Sequence, residues 1–316
     1  MKKINFHTQV TEVLVSFITY EKKMSAERST FRGNQKIQKM PSSIFDLEYF
    51  KKLYSKLVAI SNDGARYENE NYVLQPNQTE EEFQKMKGET FDLYKVTIII
   101  LGSKGERIVS HNENIFDVKN LPDEITQILF DNSLSYRNKV QQNPQNMFRI
   151  IYDFTKPSIF DFRTKPSVNI NNSSIDISGQ NETWVNGVYE QLISSIKERK
   201  TKRSWLYANY IYEILMLTLI IPLSILNLHM LSDLLAIPTL NLPSIIEVGL
   251  YIYMFILFLW IFRGIFNYSR WLFPYTELQY GIKKTVLAHR VFLFGLITSI
   301  IYSLIQAIIK IFINNI

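Results

Sequence analysis

The stretch Ile214-Leu-Met-Leu-Thr-Leu-Ile-Ile-Pro-Leu-Ser-Ile-Leu-Asn-Leu-His-Met-Leu-Ser232 contains no Asp, Glu, Lys or Arg. Its 19 residues, wound as a helix, reach roughly 30 Å, the thickness of a bilayer's hydrocarbon core. Pro222 is tolerated in a membrane helix and predicts a kink. The aromatic cluster Trp205, Tyr207, Tyr210 and Tyr212 just before it fits an interfacial belt. Val291–Ile309 is equally long and equally free of charge. Val248–Phe262 is shorter and spans if it continues to about Asn267, with Arg263 snorkelling or facing protein. The sequence thus predicts three spans, at about 208–231, 248–267 and 291–312. Leu234–Ile246, apolar but interrupted by Pro238 and Pro243, reads as an outer loop or re-entrant segment.

Working outward from these segments, charge divides the chain in two. Residues 206–316 hold only Arg263, Arg270, Lys283, Lys284, Arg290 and Lys310 as basic residues, and only Glu213, Asp233, Glu247 and Glu277 as acidic ones. All the other charged residues lie in 1–205, a length suited to one globular domain. The overall 47% apolar content therefore averages a polar head and a membrane-like end, and excludes a disordered chain.

Basic residues near the span ends set the orientation. Lys197, Arg199, Lys200, Lys202 and Arg203 precede the first span and read as a basic anchor at the membrane surface. The first connection has no basic residue, the second has Arg263, Arg270, Lys283, Lys284 and Arg290, and the tail has Lys310. This alternation predicts a multi-pass inner-membrane protein with a cytoplasmic head and an external C-terminus. The start, Met-Lys-Lys-Ile-Asn-Phe-His7, lacks the apolar core of a secretory signal. The sequons at Asn77, Asn171, Asn172 and Asn181 then stay in the cytoplasm.

Several chemistries are excluded by composition. With no cysteine there are no disulfides, thiol nucleophiles, iron–sulfur clusters or cysteine zinc sites. His7, His111, His229 and His289 are far apart and show no metal-ligand spacing. A net charge of +6 is too small an excess for a nucleic-acid binder. There is no Walker loop, no Gly-x-Ser-x-Gly elbow and no isolated carboxylate pair. A non-enzyme without cofactor or metal is expected.

The head reads as α+β with a small, mainly antiparallel sheet. Residues 1–40 give an amphipathic helix near Val10–Tyr20 and a polar linker, Glu21–Lys39. The domain proper covers 41–180, a connecting helix 181–205 and the membrane part 206–316. Apolar residues at Ile44, Leu47, Phe50, Leu53, Leu57 and Ile60 recur at helical spacing after Pro41-Ser-Ser43. Glu80–Gln84 reads as a short helix. Asp92–Leu101, Gly102-Ser-Lys-Gly105 and Glu106–His111 predict a β-hairpin. Leu121–Phe130 is expected to be helical, and Phe148–Phe154 and Ser173–Ile177 to be strands. Asn181 reads as the N-cap of a helix from Glu182 to Arg203 that continues stiffly into Trp205–Tyr212, without the Gly/Ser composition of a flexible tether.

Two patterns are candidate sites. Asp153-Phe-Thr-Lys-Pro-Ser158 is echoed by Asp161-Phe-Arg-Thr-Lys-Pro-Ser167, which would bring Lys156, Arg163 and Lys165 together against a phosphate-bearing ligand. The plainer reading, which takes precedence, is two similar strand-ending turns. In the last span, Ser299, Ser303, Gln306 and Lys310 align as a polar stripe that continues to Asn314, beside the small series Gly295, Ser299, Ser303 and Ala307. Tight helix packing explains the small residues. A water-lined path explains Gln306 and Lys310 as well, and requires a homo-oligomer.

The segment Asn181-Glu-Thr-Trp-Val-Asn-Gly-Val-Tyr-Glu-Gln-Leu192, running on to Arg203-Ser-Trp-Leu-Tyr207, resembles the head-to-membrane joint of the Hailong type of bacterial anti-phage membrane effectors. The layout of head, joint and compact membrane unit is similar as well. The resemblance implies a gated ion channel opened by a nucleotide or oligonucleotide signal, made by a partner nucleotidyltransferase and bound to the cytoplasmic head. The alternative is a membrane-anchored binding or scaffold protein whose spans only localise the head.

Overall fold

The computed structural model describes residues 33–74, 76–117, 119, 121–159, 171–208, 210–225, 243–280 and 284–314. The head is built on one six-stranded sheet. Its elements in chain order are β1 (Asn34–Lys39), β2 (Ser43–Phe45), α1 (Leu47–Asn71), α2 (Glu80–Leu93), β3 (Thr97–Gly102) and β4 (Arg107–Ser110). They continue with β5 (Ile125–Asp131), α3 (Leu134–Val140), β6 (Asn146–Asp153), β7 (Ser174–Gly179) and α4 (Glu182–Lys197). The sheet order is β1-β7-β6-β5-β3-β4, and every neighbouring pair is antiparallel.

Local sequence accounts for much of this. The Asp46 carboxylate accepts from the Tyr49 amide and caps α1. Thr79 and Glu82 form a reciprocal capping box that starts α2. That helix runs on to Leu93, well past the short Glu80–Gln84 expected. Asn181 caps α4 through the Trp184 amide, as its position predicts. The β3–β4 hairpin turns at Gly105, whose φ of +86° strains any residue with a Cβ.

The core lies between the sheet and helices α1 and α4. Phe50 and Leu57 of α1 face Ile98, Ile100, Phe130, Ile150 and Tyr152 of the sheet, all buried. Rings close the centre: Phe50 meets Tyr152 edge-on at 4.8 Å, and Phe45 meets Tyr152 at 5.0 Å. The Tyr49 and Tyr152 hydroxyls share a buried hydrogen bond of 3.1 Å. Burial pushes the Tyr49 phenol up to about 12.

Buried polar groups are held in two networks. Asp131 accepts from Arg149 Nε and Nη2 at 2.9 and 2.7 Å, from Arg137 at 3.2 Å and from the Ser133 amide and hydroxyl at 2.7 Å each. Burial works to raise this carboxyl, but the two guanidinium groups outweigh it and hold it below the usual carboxylate range. Glu68, 1% exposed, accepts from the phenols of Tyr72, Tyr94 and Tyr136 and from the Gln145 amide. This second network ties the end of α1 to α3 and to the start of β6.

Four expectations for the head need correction. Ile44, read as the first apolar position of a helix after Pro41-Ser-Ser43, lies in strand β2, and α1 begins only at Leu47, behind its Asp46 cap. Asn34–Lys39 is an edge strand paired along its length with β7, not linker. Its sequence, Asn-Gln-Lys-Ile-Gln-Lys, is polar because one edge and much of one face meet solvent, so no apolar alternation announces it. Ile125–Asp131 is a strand at the centre of the sheet, not a helix; pairing on both sides overrides the helix-like start at Pro122. The connecting helix stops at Lys197. Beyond it the chain pairs with the β2 region, Ile44 N donating to Arg199 O and Thr201 N to Ser42 O, and then turns as a 3₁₀ segment, Lys202–Tyr207. These bonds to the head break the straight rod. The helix expected near Val10–Tyr20 lies outside the described residues.

The apolar part comprises α5 (Ile211–Ile225), α6 (Ser244–Leu272), β8 (Thr276–Leu278) and α7 (Lys284–Asn314). Among the described residues only α6 is long and apolar enough to cross a membrane: 29 residues, with a mean hydropathy of 2.3 over its most apolar window. This overturns the three-span fold. The described part of α5 covers 15 positions, roughly 22 Å of helix and short of a bilayer core, and its middle, Met216–Ile220, is wound as a π-turn. In α7 the described apolar run is Val286–Ser299, also too short. The segment expected to be re-entrant falls mostly outside the described residues, and its end, Ser244–Ile246, already belongs to α6.

Candidate functional site at the joint

The chain between α6 and α7 does not hang free below the head. Its strand β8 pairs in parallel with β2, in the register Ser43–Thr276, Ile44–Glu277 and Phe45–Leu278. The Ser42 hydroxyl and the Ser43 amide donate to the Tyr275 carbonyl at 2.8 and 3.2 Å, and Gln279 N donates to Phe45 O at 2.7 Å. The Asn171 amide, beside β7, donates both to Asp153 O at 2.6 Å and to the Thr276 hydroxyl at 3.0 Å. The head therefore grips the turn that joins the two long apolar helices.

Glu277 lies at the centre of that grip. Its side chain is 10% exposed and bridges two cations: Arg203 on the 3₁₀ segment donates to Oε2, and Arg290 on α7 donates to Oε1 at 2.5 Å. Arg290 also donates to the last carbonyl of α6, Leu272 O, at 3.1 and 3.3 Å. Both guanidinium groups lie against the Phe273 ring, 5.5 and 5.2 Å from its centroid. One carboxylate thus links the exit from the head, the end of α6 and the start of α7.

A second contact runs beside it. The Tyr207 hydroxyl donates to the carbonyls of Arg270 and Phe273 at 2.8 and 3.0 Å. The buried Arg270 guanidinium stacks on the Tyr207 ring at 4.5 Å. Burial raises the Tyr207 phenol above its ordinary value, against the pull of the Arg270 and Arg203 charges, so it remains a donor. The helices themselves meet at Tyr268 and His289, whose hydroxyl and Nδ1 lie 2.6 Å apart. Further along α6, Nε and Nη2 of Arg263 are buried without a hydrogen-bond partner among the described residues.

Next to the joint is a cavity of about 260 Å³, bordered by Lys156 from the head, by Trp271 of α6 and by Arg290 of α7. Lys156 donates to Glu124 at 3.1 Å and sits 5.4 Å from the centroid of the Trp271 ring. Of the ligand residues expected, only Lys156 is therefore placed; Arg163 and Lys165 lie outside the described residues. On α7, Ser299 and Gln306 are exposed, and Gln306 donates to the Tyr302 hydroxyl at 2.8 Å. The side chains of Ser303 and Lys310 lie outside the described set. The basic run divides: Lys197, Lys200 and Lys202 are exposed, whereas Arg199 pairs with Asp46 at 3.1 Å and Arg203 with Glu277.

Sequence reading missed Glu277 because the second connection was read for its basic residues alone. The available signal was that it is the only acidic residue between Glu247 and the C-terminus. Among the described residues no group of three His, Asp or Glu side chains is placed to hold a metal ion. Strand β2 of the head is thus bonded directly to the segment that joins the end of α6 to α7. Compared with models of known protein families, with curated proteins and with solved structures, the chain matches none, so its own geometry carries the functional reading.

Proposed function

We propose that this chain is a non-enzymatic membrane effector, in which a cytoplasmic head responds to an anionic, nucleotide-type ligand and shifts apolar helices that admit ions. The gripped turn supports this reading above all: a tether that only localised the head would need neither the β2–β8 pairing nor a buried carboxylate held by two arginines. In this account α6 crosses the inner membrane, copies of the chain assemble, and the Ser299–Gln306 face of α7 turns toward the opening. Ligand binding moves the head relative to the membrane, and the Arg203–Glu277–Arg290 bridge transmits the movement. The defence setting and the partner nucleotidyltransferase rest on the resemblance of the joint segment alone.

A second reading has its own support. One helix able to cross a membrane is sufficient for an anchor, so a scaffold role fits the single long apolar helix. Ion flux separates the two. Full-length protein is reconstituted in liposomes, and potassium flux is compared for the wild type, Glu277→Ala and protein-free vesicles. With no ligand present the wild type stays near empty vesicles, and the effector account expects Glu277→Ala, which frees the helices from the head, to raise flux at least about tenfold, a barrier change near 1.4 kcal/mol. If both proteins match empty vesicles, the scaffold reading stands and the effector account falls.

A further inference from the structure

The walls of the joint cavity carry both signs of charge. Lys156 and Arg290 face it, and so do Asp123, Glu124 and Glu277. The rest of the lining is largely apolar, from Ile125, Phe154, Leu272, Leu278 and Val286. Trp271 and Leu272 are the last residues of α6, the helix able to cross a membrane. When such a helix spans, its final turn lies at headgroup depth, where Trp is enriched. The cavity therefore opens off the layer in which phospholipid headgroups reside.

We propose that this cavity binds the headgroup of an amine-bearing zwitterionic phospholipid, a phosphoethanolamine. The phosphate takes charge-assisted hydrogen bonds from Lys156 and Arg290. The ammonium donates to Glu124 and Asp123, and the first carbons of the lipid lie against Leu272 and Val286. The Lys156–Glu124 and Lys104–Asp123 pairs that the headgroup must open are both solvent-facing, with side chains 33% and 55% exposed in the first and 70% and 74% in the second, and so are weakly held. Selectivity follows from the same residues. A phosphoglycerol headgroup meets the three carboxylates with neutral hydroxyl donors only, and gains no charge-assisted bond there. A choline headgroup has no N–H to donate. The inference rests on α6 lying in a membrane and not on ion flow.

The test uses the full-length chain in detergent, incubated with equal amounts of phosphatidylethanolamine, phosphatidylglycerol and phosphatidylcholine, with retained lipid counted by native mass spectrometry. Phosphatidylethanolamine is expected to be retained at least about tenfold over the other two. Asp123→Asn with Glu124→Gln should erase its advantage over phosphatidylcholine, and Lys156→Gln should lower retention of both. All three side chains are at least partly exposed, and circular dichroism verifies that the variants keep their fold. Soluble glycerophosphoethanolamine should compete for the same place. Equal or greater retention of phosphatidylglycerol, an unchanged preference in the carboxylate variant, or no competition by the soluble headgroup would each overturn the proposal. Absence of ion flux with the lipid preference intact would remove the effector reading and leave this one standing.

Discussion

Ser43 stands beside Thr276 in a parallel pair of strands, although α1, five of the six strands of the main sheet and α6 lie between them in sequence. Closing so long a loop is entropically costly and is offset only if several contacts form together. They do so here: strand pairing, the Asn171 bond to Thr276 and the two ion pairs of Glu277 all converge on one turn. This concentration makes the joint a single mechanical element, and it sets the first prediction.

Replacing Glu277 by Gln leaves two half-buried guanidinium groups without their carboxylate. Removing one partner of such a pair costs about 3–5 kcal/mol. Chemical denaturation in detergent should show this loss. A double-mutant cycle with Arg203→Met should return a coupling of about 1 kcal/mol or more, whereas independent residues would give purely additive losses.

Asp131 predicts a pH dependence of the head. Its carboxyl is held below the ordinary value by Arg149 and Arg137, so it stays ionised in the folded head at a pH where the unfolded chain has begun to bind protons. Its contribution is therefore complete well above an unfolded pKa of about 3.9 and is lost as pH falls through the lower, folded value. Thermal melts of the full-length protein in detergent between neutral pH and pH 3 should show a steeper fall for the wild type than for Asp131→Asn. At neutral pH that variant should be less stable by about 3–5 kcal/mol.

Gly179 closes the end of β7 against β6. A Cβ there would lie 2.4 Å from Asn146 Oδ1 and 3.1 Å from Val185 Cγ2. Asn146 is fully buried, so its amide has little room to give way. Gly179→Ala is expected to destabilise the head by about 1–3 kcal/mol, read as a lowered denaturation midpoint. Gly187→Ala, with open space around its Cα, should be neutral or slightly stabilising as a helix substitution.

Arg263 separates stability from function. Its buried Nε and Nη2 find no partner among the described residues, so Arg263→Leu is expected to hold or raise the unfolding temperature in detergent. In the effector account an ionisable group within the crossing helix serves ion passage, and the same substitution made in Glu277→Ala protein should reduce its potassium flux in liposomes. A variant that loses stability instead would show that the guanidinium is structural.

What the sequence made legible was local. The hairpin around Gly105 and the cap at Asn181 depend on neighbours within a few residues, and the apolar, aromatic run Phe148–Phe154 reads as a strand by itself. The apolar composition of α6 likewise needs no partner to be seen. Elements defined by distant pairing stayed hidden. Asn34–Lys39 is a strand only because β7 lies beside it, and Ile125–Asp131 only because β3 and β6 flank it. Length alone misled for α5, where an apolar stretch of sufficient count gives a shorter described helix interrupted by a π-turn. At the site, Lys156 was legible as a cation on a strand-ending turn. Its neighbours Trp271 and Arg290 arrive from the far side of the fold, and Glu277 went unread as a lone acid in a basic connection.

The chain has no cysteine, which opens a direct test of the coupling. Ser43→Cys with Thr276→Cys places two thiols on neighbouring strands, whose separation of about 4.8 Å lies within reach of a disulfide. Introduced into Glu277→Ala protein in liposomes, the oxidised pair locks the head to the turn and the reduced pair frees it. The account predicts that oxidation returns potassium flux to the wild-type level and that reductant restores the altered rate. Flux that is the same in both redox states, with the disulfide verified by mass spectrometry, would contradict it.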